Sequence, residues 1–194
     1  MDKSAQSKKI GLLGGSFNPA HNGHLEIRLV ALDILELDEI WWLVSPRNPL
    51  KSTTTNKNFI DRYSSAQNQA NDPRIKVSDI ENKFGTIYTV DTLEKIKINM
   101  KNDHFIWLMG ADNLVQFHEW KDWKKIANTV PFAIFNRPSY SREVLESVAA
   151  KALKSAQVPI EQANTLYSLT PPAWIFCEVT YNPLSSTEIR NNIK

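Results

Sequence analysis

The apolar residues of this chain come in short unbroken runs separated by longer stretches at helical spacing. Residues 10–13, 40–44, 75–80, 104–109, 132–135 and 174–177 read as buried strands. Residues 22–35 predict a helix with Leu25, Leu29, Leu32 and Ile34 or Leu35 on one stripe. Further helices are predicted over 59–70, over 112–117, 120–127 and 141–154, and at the end of the chain over 185–193. Another starts at Thr89, read as an N-cap, and runs through Val90, Leu93, Ile96 and Ile98. The polar stretch 47–58 reads as a surface loop, and 155–172 as an irregular connection. Strands alternating with helices imply right-handed crossovers, and so an α/β fold with a doubly wound parallel sheet covered on both faces. Ligands of such sheets bind beyond the carboxyl ends of the strands. The chemistry is therefore expected in segments 14–24, 45–55 and 110–120, and at the entry to the last helix near residue 185.

Composition narrows the class without changing the fold. The 194 residues, 42% hydrophobic and 23% charged, fit one globular domain over 1–194, with residues 1–7 expected as a disordered leader. Lys+Arg 23 against Asp+Glu 21 leaves +2, too little to argue for a nucleic-acid surface. The strictly apolar run 40–44 is far too short to cross a bilayer, so no membrane partner is expected. Cys177 is the single cysteine, which excludes an internal disulfide framework and a multi-cysteine zinc site. It lies in an apolar run and reads as a buried structural thiol in a reducing, cytoplasmic setting.

Two segments carry candidate chemistry. Gly14, Gly15, Ser16 and Phe17 follow the first strand, where the backbone must turn tightly and approach a ligand. They lead into His21-Asn22-Gly23-His24. Histidines three apart at a helix start share one side of it. The free N–H groups there add partial positive charge, so the segment reads as an anion cradle with two imidazole donors. On spacing alone, a surface or metal-binding histidine pair remains as good a reading. The spacing is neither a P-loop nor a dinucleotide fingerprint. Near the other end, Ser185 or Ser186 can cap a helix, with Glu188 near the capping-box position and Arg190 a turn along. That is either a second anion site or an ordinary capped helix. Lys51 is either a phosphate contact or a solvated loop lysine. Asp112, after a strand and Gly110, either accepts from a ribose hydroxyl or caps a helix. Trp120 and Trp123 sit among charged residues and are expected to face a cleft, whereas Trp41, Trp42, Trp107 and Trp174 are expected in the core.

Together, His-x-Gly-His after a Gly-Gly-Ser-Phe loop and Ser-Ser-Thr-x-Ile-Arg near the C-terminus resemble the nucleotidyltransferase superfamily of adenylyl- and cytidylyltransferases. Segments 44–51, 88–93, 110–114 and 117–123 and the pair Arg137-Pro138 resemble bacterial nicotinate-nucleotide adenylyltransferase, and the likeness spans residues 8–193. Ser16, Asn18 and Leu184 replace commoner Thr, Asp and Ile of that pattern. The resemblance implies a Rossmann-like sheet of the nucleotidyltransferase type, and transfer of the adenylyl group of ATP to nicotinate mononucleotide, giving deamido-NAD and pyrophosphate. It implies His21, His24 and Arg190 as catalytic groups. Gly14, Gly15, Ser16, Phe17, Lys51, Ser185 and Ser186 would bind ATP or its phosphates. Thr89, Asp112, Trp120 and Arg137 would bind nicotinate mononucleotide. Mg²⁺ would accompany ATP rather than occupy a dedicated protein site, and a homo-oligomer is compatible with the family. The runner-up readings are phosphopantetheine adenylyltransferase or another small-molecule nucleotidyltransferase, and a catalytically silent nucleotide-binding module.

Overall fold

A computed structural model describes residues 7–18, 22–46, 58–136 and 142–178, with only the backbone described at 22–26 and at 142–143. In chain order the main elements are β1 (Lys9–Gly15), α1 (Asn22–Ile34), β2 (Glu39–Val44), α2 (Phe59–Gln69), β3 (Ile75–Ser78), α3 (Ile80–Phe84) and α4 (Thr89–Asn99). Then come β4 (His104–Gly110), α5 (Ala111–Val115), α6 (Trp123–Thr129), β5 (Phe132–Asn136), α7 (Val148–Ala152) and β6 (Trp174–Glu178). The six strands form one sheet in the order β3-β2-β1-β4-β5-β6, and every neighbouring pair is parallel. This is the doubly wound α/β arrangement expected from the alternation of runs, with its reversal of strand order between β1 and β4.

Strand periodicity of two splits the core into two layers. Ile10, Leu12, Phe105, Trp107, Met109, Phe132 and Trp174 pack on one face with residues of α3 to α7. Leu13, Ile40, Trp42, Val44, Ile106, Leu108, Phe135 and Cys177 pack on the other, with α1, α2 and the connection before β6. Cys177 is buried and free, and desolvation pushes its thiol up to about 12, so it is a core residue and a poor nucleophile.

Several local expectations are corrected. In α1 the buried stripe is Ile27, Ala31 and Leu32, continued by Leu35, while Leu29 is exposed. The strand predicted over 75–80 ends at Ser78, whose hydroxyl accepts from the Ile80 N–H as α3 begins. Gly85, at φ 62, then ends α3 in the left-handed region that favours glycine. Thr89 is not the N-cap of α4 but its first helical residue, and the cap is Tyr88. The helix predicted over 141–154 is broken. Ser147 adopts extended backbone and accepts from the Ala150 N–H, so only Val148–Ala152 is α-helical, between 3₁₀ turns Arg142–Glu146 and Lys154–Ala156. The predicted irregular connection contains a nine-residue 3₁₀ helix, Ile160–Ser168, which buries Ala163 and Leu166 at the i, i+3 spacing of that helix. The predicted leader, apart from exposed Ser7, and the predicted final helix lie outside the described residues. Among the described residues no helix is long and apolar enough to cross a membrane.

Candidate active site

The sheet opens where its strand order reverses. β1 and β4 pair from Lys9↔His104 only as far as Leu13↔Leu108. Beyond that point β1 continues with β2, through Gly14↔Leu43 and Gly15↔Val44. β4 continues with β5 instead, through Met109↔Ile134 and Gly110↔Phe135. The two central strands therefore part at their carboxyl ends and leave a crevice floored by Gly14 and Gly15 on one side and Met109 and Gly110 on the other. This is the position at which doubly wound sheets bind ligands.

Gly14 and Gly110 each have a close neighbour where a Cβ would stand. A Cβ on Gly14 would lie 2.5 Å from Cη2 and 3.0 Å from Cζ2 of Trp107, a ring only 2% exposed. A Cβ on Gly110 would collide with the Asp112 carboxylate, which folds back over that glycine. Asp112 is the second residue of α5, whose N-cap is Gly110, so the alternative of Asp112 as the cap is excluded. Its carboxylate stays at the end of β4, partly exposed.

Phe17 turns the chain out of β1 with φ 46, a conformation a bulky residue adopts only when its surroundings impose it. They do so here through its ring, which is 1% exposed and stacked on Trp42 at 5.3 Å between centroids. Any ligand contact from Phe17 thus falls to its backbone.

Trp120 stands at the side of the crevice. It is partly buried, held edge-on by Phe117 at 5.5 Å and by Trp107 at 6.4 Å, so one ring links it to the Gly14 floor. Trp123 packs edge-on against Phe117 and is partly buried, with Lys124 over its ring. Next in sequence to Trp120, Lys121 pairs with Asp91 at 3.3 Å and lies over the Tyr88 ring at 4.5 Å. These contacts tie the residue after Trp120 to the start of α4, where Thr89 and its neighbours carry first-turn amides. The buried Thr86–Thr92 hydroxyl pair, at 2.8 Å, fixes the chain leading into that turn. Of the tryptophans expected in the core, Trp41 is only half-buried, because its Nε1 donates to Glu39 at the amino edge of the sheet.

Gly14, Gly15, Ser16, Phe17, Asp112, Trp120 and Thr89 are thus brought to one end of the sheet. His24 is the third residue of α1, at the exit from this turn, and its side chain is not described. His21, Lys51, Arg137, Ser185, Ser186 and Arg190 lie outside the described residues.

Two buried charged groups at this end of the sheet escaped the sequence reading. Arg62 of α2, 4% exposed, donates from Nη1 to the carbonyls of Ser16 at 2.6 Å and Ser45 at 2.8 Å, and from Nη2 to that of Pro46 at 3.1 Å. The available signal was a charged residue on the inward face of a helix, one turn before buried Ala66. Glu81, 3% exposed, accepts from the Ser45 hydroxyl at 2.8 Å. Burial pushes its carboxyl up to about 7, against the opposing hydrogen bond from Ser45. Ser45 is the node between them, since its N–H also donates to the Gly15 carbonyl at 2.9 Å.

Known proteins resemble this chain along almost its whole length. A family model described as cytidylyltransferase-like matches residues 12–192. A protein of Agrobacterium fabrum named "Probable nicotinate-nucleotide adenylyltransferase" is 43% identical over 185 residues, covering 95% of this chain and 99% of its own. One of the same name from Parvibaculum lavamentivorans is 48% identical over 182 residues, 94% of this chain and 90% of its own. Among solved structures, Plasmodium falciparum nicotinic acid mononucleotide adenylyltransferase, complexed with APC in one case and NaAD in another, superposes with a TM-score of 0.66 in both. Each covers 95% of this chain and 83% of the other, at 19% and 20% identity. At that identity the likeness concerns the fold.

Proposed function

The chain belongs to the cytidylyltransferase-like family, among the nicotinate-nucleotide adenylyltransferases, and from that premise we propose that it transfers the adenylyl group of ATP to nicotinate mononucleotide. The observation that carries the reading is the crevice where β1 and β4 part, with a glycine floor on one side and Trp120 beside the start of α4 on the other. A phosphate-bearing ligand needs backbone approach at the first, and a flat ring with a carboxylate suits the second.

In the reaction, a phosphate oxygen of nicotinate mononucleotide attacks the α-phosphorus of ATP. The bond from that phosphorus to the oxygen bridging to the β-phosphate breaks, and pyrophosphate leaves with both its electrons. The nucleophile is already anionic near neutral pH, so positioning and charge stabilisation suffice without a strong base. His21 and His24 would donate to α-phosphate oxygens as charge builds. Ser185, Ser186 and Arg190, with Lys51, would hold the departing phosphates. The turn from Gly14 to Phe17 would supply backbone contacts to ATP. Trp120 would stack on the pyridine ring, the Thr89 turn would donate to its carboxylate, and Asp112 and Arg137 would bind the rest of the mononucleotide. Mg²⁺ would enter with ATP, held chiefly by phosphate oxygens and water, and offset their charge.

The test is pyrophosphate release from ATP and Mg²⁺ with nicotinate mononucleotide, its amide and phosphopantetheine as separate acceptors. The nicotinate form is expected to react fastest, because amide donors placed for a carboxylate are poorly matched by a carboxamide. Equal rates for acid and amide would remove the acceptor assignment and keep the reaction class. A preference for phosphopantetheine would select the runner-up. No turnover with any acceptor would favour a silent binding module.

A further inference from the structure

Arg62 joins three segments that meet at the crevice but are far apart in sequence. Its guanidinium binds the Ser16 carbonyl, just past the end of β1, and the Ser45 and Pro46 carbonyls, just past the end of β2. Placing a guanidinium at 4% exposure carries a desolvation penalty, and burial here lowers its affinity for the proton. Charge-assisted bonds to the three carbonyls offset that penalty. A planar fork suits this task, because its donors diverge in one plane toward separate acceptors, whereas a lysine offers one compact ammonium.

The consequence lies in the peptide plane. A trans peptide holds its C=O and the following N–H in opposite directions. Fixing the Ser16 carbonyl on Arg62 therefore also fixes the direction of the Ser16–Phe17 peptide, and Phe17 adopts positive φ. The Phe17 ring, stacked on Trp42, restrains the same turn from its other side. The Ser45 N–H holds Gly15 across the β1–β2 ladder, so one residue's two backbone groups link Arg62 to the glycine floor.

We propose that Arg62 is a positioning residue for adenylyl transfer, setting the conformation of the Gly15–Phe17 turn by clamping the exits of β1 and β2 together. This rests on the reading of the crevice as an adenylyl-transfer site. Arg62 is buried and directed onto three backbone carbonyls, so its effect is expected to pass through the turn. Loss of the clamp shifts the turn within the crevice while leaving the acceptor wall at Trp120 and Thr89 in place. It therefore acts on kcat and on ATP more than on nicotinate mononucleotide.

The experiment compares the full chain with Arg62→Ala and Arg62→Lys, measuring kcat, both KM values and the folded fraction by thermal melting. The expected result is a fall in kcat per folded molecule of about 10- to 100-fold, the scale for small misplacement of a reacting group, in both variants. KM for nicotinate mononucleotide is expected to stay within about twofold of wild type, because its contacts lie elsewhere. Millimolar guanidinium is expected to restore part of the lost kcat in Arg62→Ala and none in Arg62→Lys, where the ammonium fills the site. If Arg62→Ala does not fold, Arg62→Lys carries the kcat and KM comparison. A kcat per folded molecule equal to wild type, or activity that falls only in step with the folded fraction, would overturn the proposal and leave Arg62 a stabilising residue. A wild-type chain inactive with every acceptor would overturn the reading of the crevice itself, and this role with it.

Discussion

The two ends of β2 handle a buried carboxylate in opposite ways. Glu39, at the amino end, is 6% exposed and meets the ammonium groups of Lys8 and Lys76 and the Nε1 of Trp41. Burial alone would raise its carboxyl, but these hydrogen bonds and charges outweigh it and hold the group below its ordinary value. Glu81, packed against the carboxyl end, receives only the Ser45 hydroxyl among the described residues, and burial keeps its carboxyl high. The pattern extends beyond these two groups. At the amino end the N–H groups of Lys8 and Lys9 donate to the carboxylates of Asp103 and Asp38, and Lys9 pairs with Glu36. At the carboxyl end stand Gly14, whose Cβ position the Trp107 ring occupies, a positive-φ phenylalanine and a buried guanidinium on backbone carbonyls. Charge is compensated locally at the amino end. Tight glycine packing and positive φ occur toward that end too, at Gly11 and Glu36, so the carboxyl end differs in its buried guanidinium and its raised carboxyl, at the place where a ligand would enter.

The sharpest way to break this contrast is Gly14→Ala. The added methyl meets the buried Trp107 ring, which is itself wedged against Trp120. The ring has no free side to turn to, so the strand must shift. Overpacking of this kind costs about 3 kcal/mol, and the shift moves the crevice floor and the Trp120 wall together. The expected outcome is a lower melting temperature and loss of most adenylyl transfer. A variant with wild-type melting and wild-type kcat would show that the close approach of Gly14 to Trp107 is not a constraint.

Glu81→Gln sharpens the contrast in the opposite direction, because it should stabilise. The carboxyl is raised from its ordinary 4.5 to about 7. Between those values the folded chain holds a proton that the unfolded chain has lost. Stability therefore falls as pH rises from about 4.5 to about 7, and the full penalty, about 3 kcal/mol, applies above that range. Glutamine keeps an acceptor for Ser45 and carries no charge. The variant is expected to melt above wild type at pH 8, with the difference shrinking to nothing near pH 4.5. Parallel curves across this range would show that Glu81 does not titrate between them.

How far the chain disclosed this arrangement depends on the range of the interaction. All six strands and their parallel direction were legible, because apolar runs such as 104–109 and 132–135 are local signals of burial on both faces. The turn from Gly14 to Phe17 was legible as a site through its glycines and its place after a strand. Leu29 was misjudged because helical spacing alone does not say which of two apolar stripes faces the sheet. Ser147 was missed because a serine inside a helical pattern caps or continues according to its own side-chain hydrogen bond. Arg62 and Glu81 were not legible as a pair. Among the described residues Ser45 joins them, and that meeting depends on β2, α2 and α3 packing together.

The smallest expected effect belongs to Glu39→Gln, and its sign separates the two ends of the strand. Because the folded carboxyl lies below its ordinary 4.5, Glu39 contributes stability that is present above that value and is lost as pH falls through the folded value. The lysine side chains around it are about half exposed, at 49% for Lys8 and 50% for Lys76, so water solvates them when the carboxylate is removed. The loss at neutral pH is therefore only about 1 kcal/mol, the scale of a solvent-screened pair, rather than that of a stranded buried charge. Glutamine also retains an oxygen for the Trp41 Nε1, so the packing of that ring should persist. Melting followed from pH 7 down to pH 3 should show Glu39→Gln below wild type at neutral pH and the gap closing with acid, in a window below that of Glu81→Gln and with opposite sign. A Glu39→Gln chain that melts higher than wild type at pH 7 would mean that desolvation, not the lysines, governs the amino end as well.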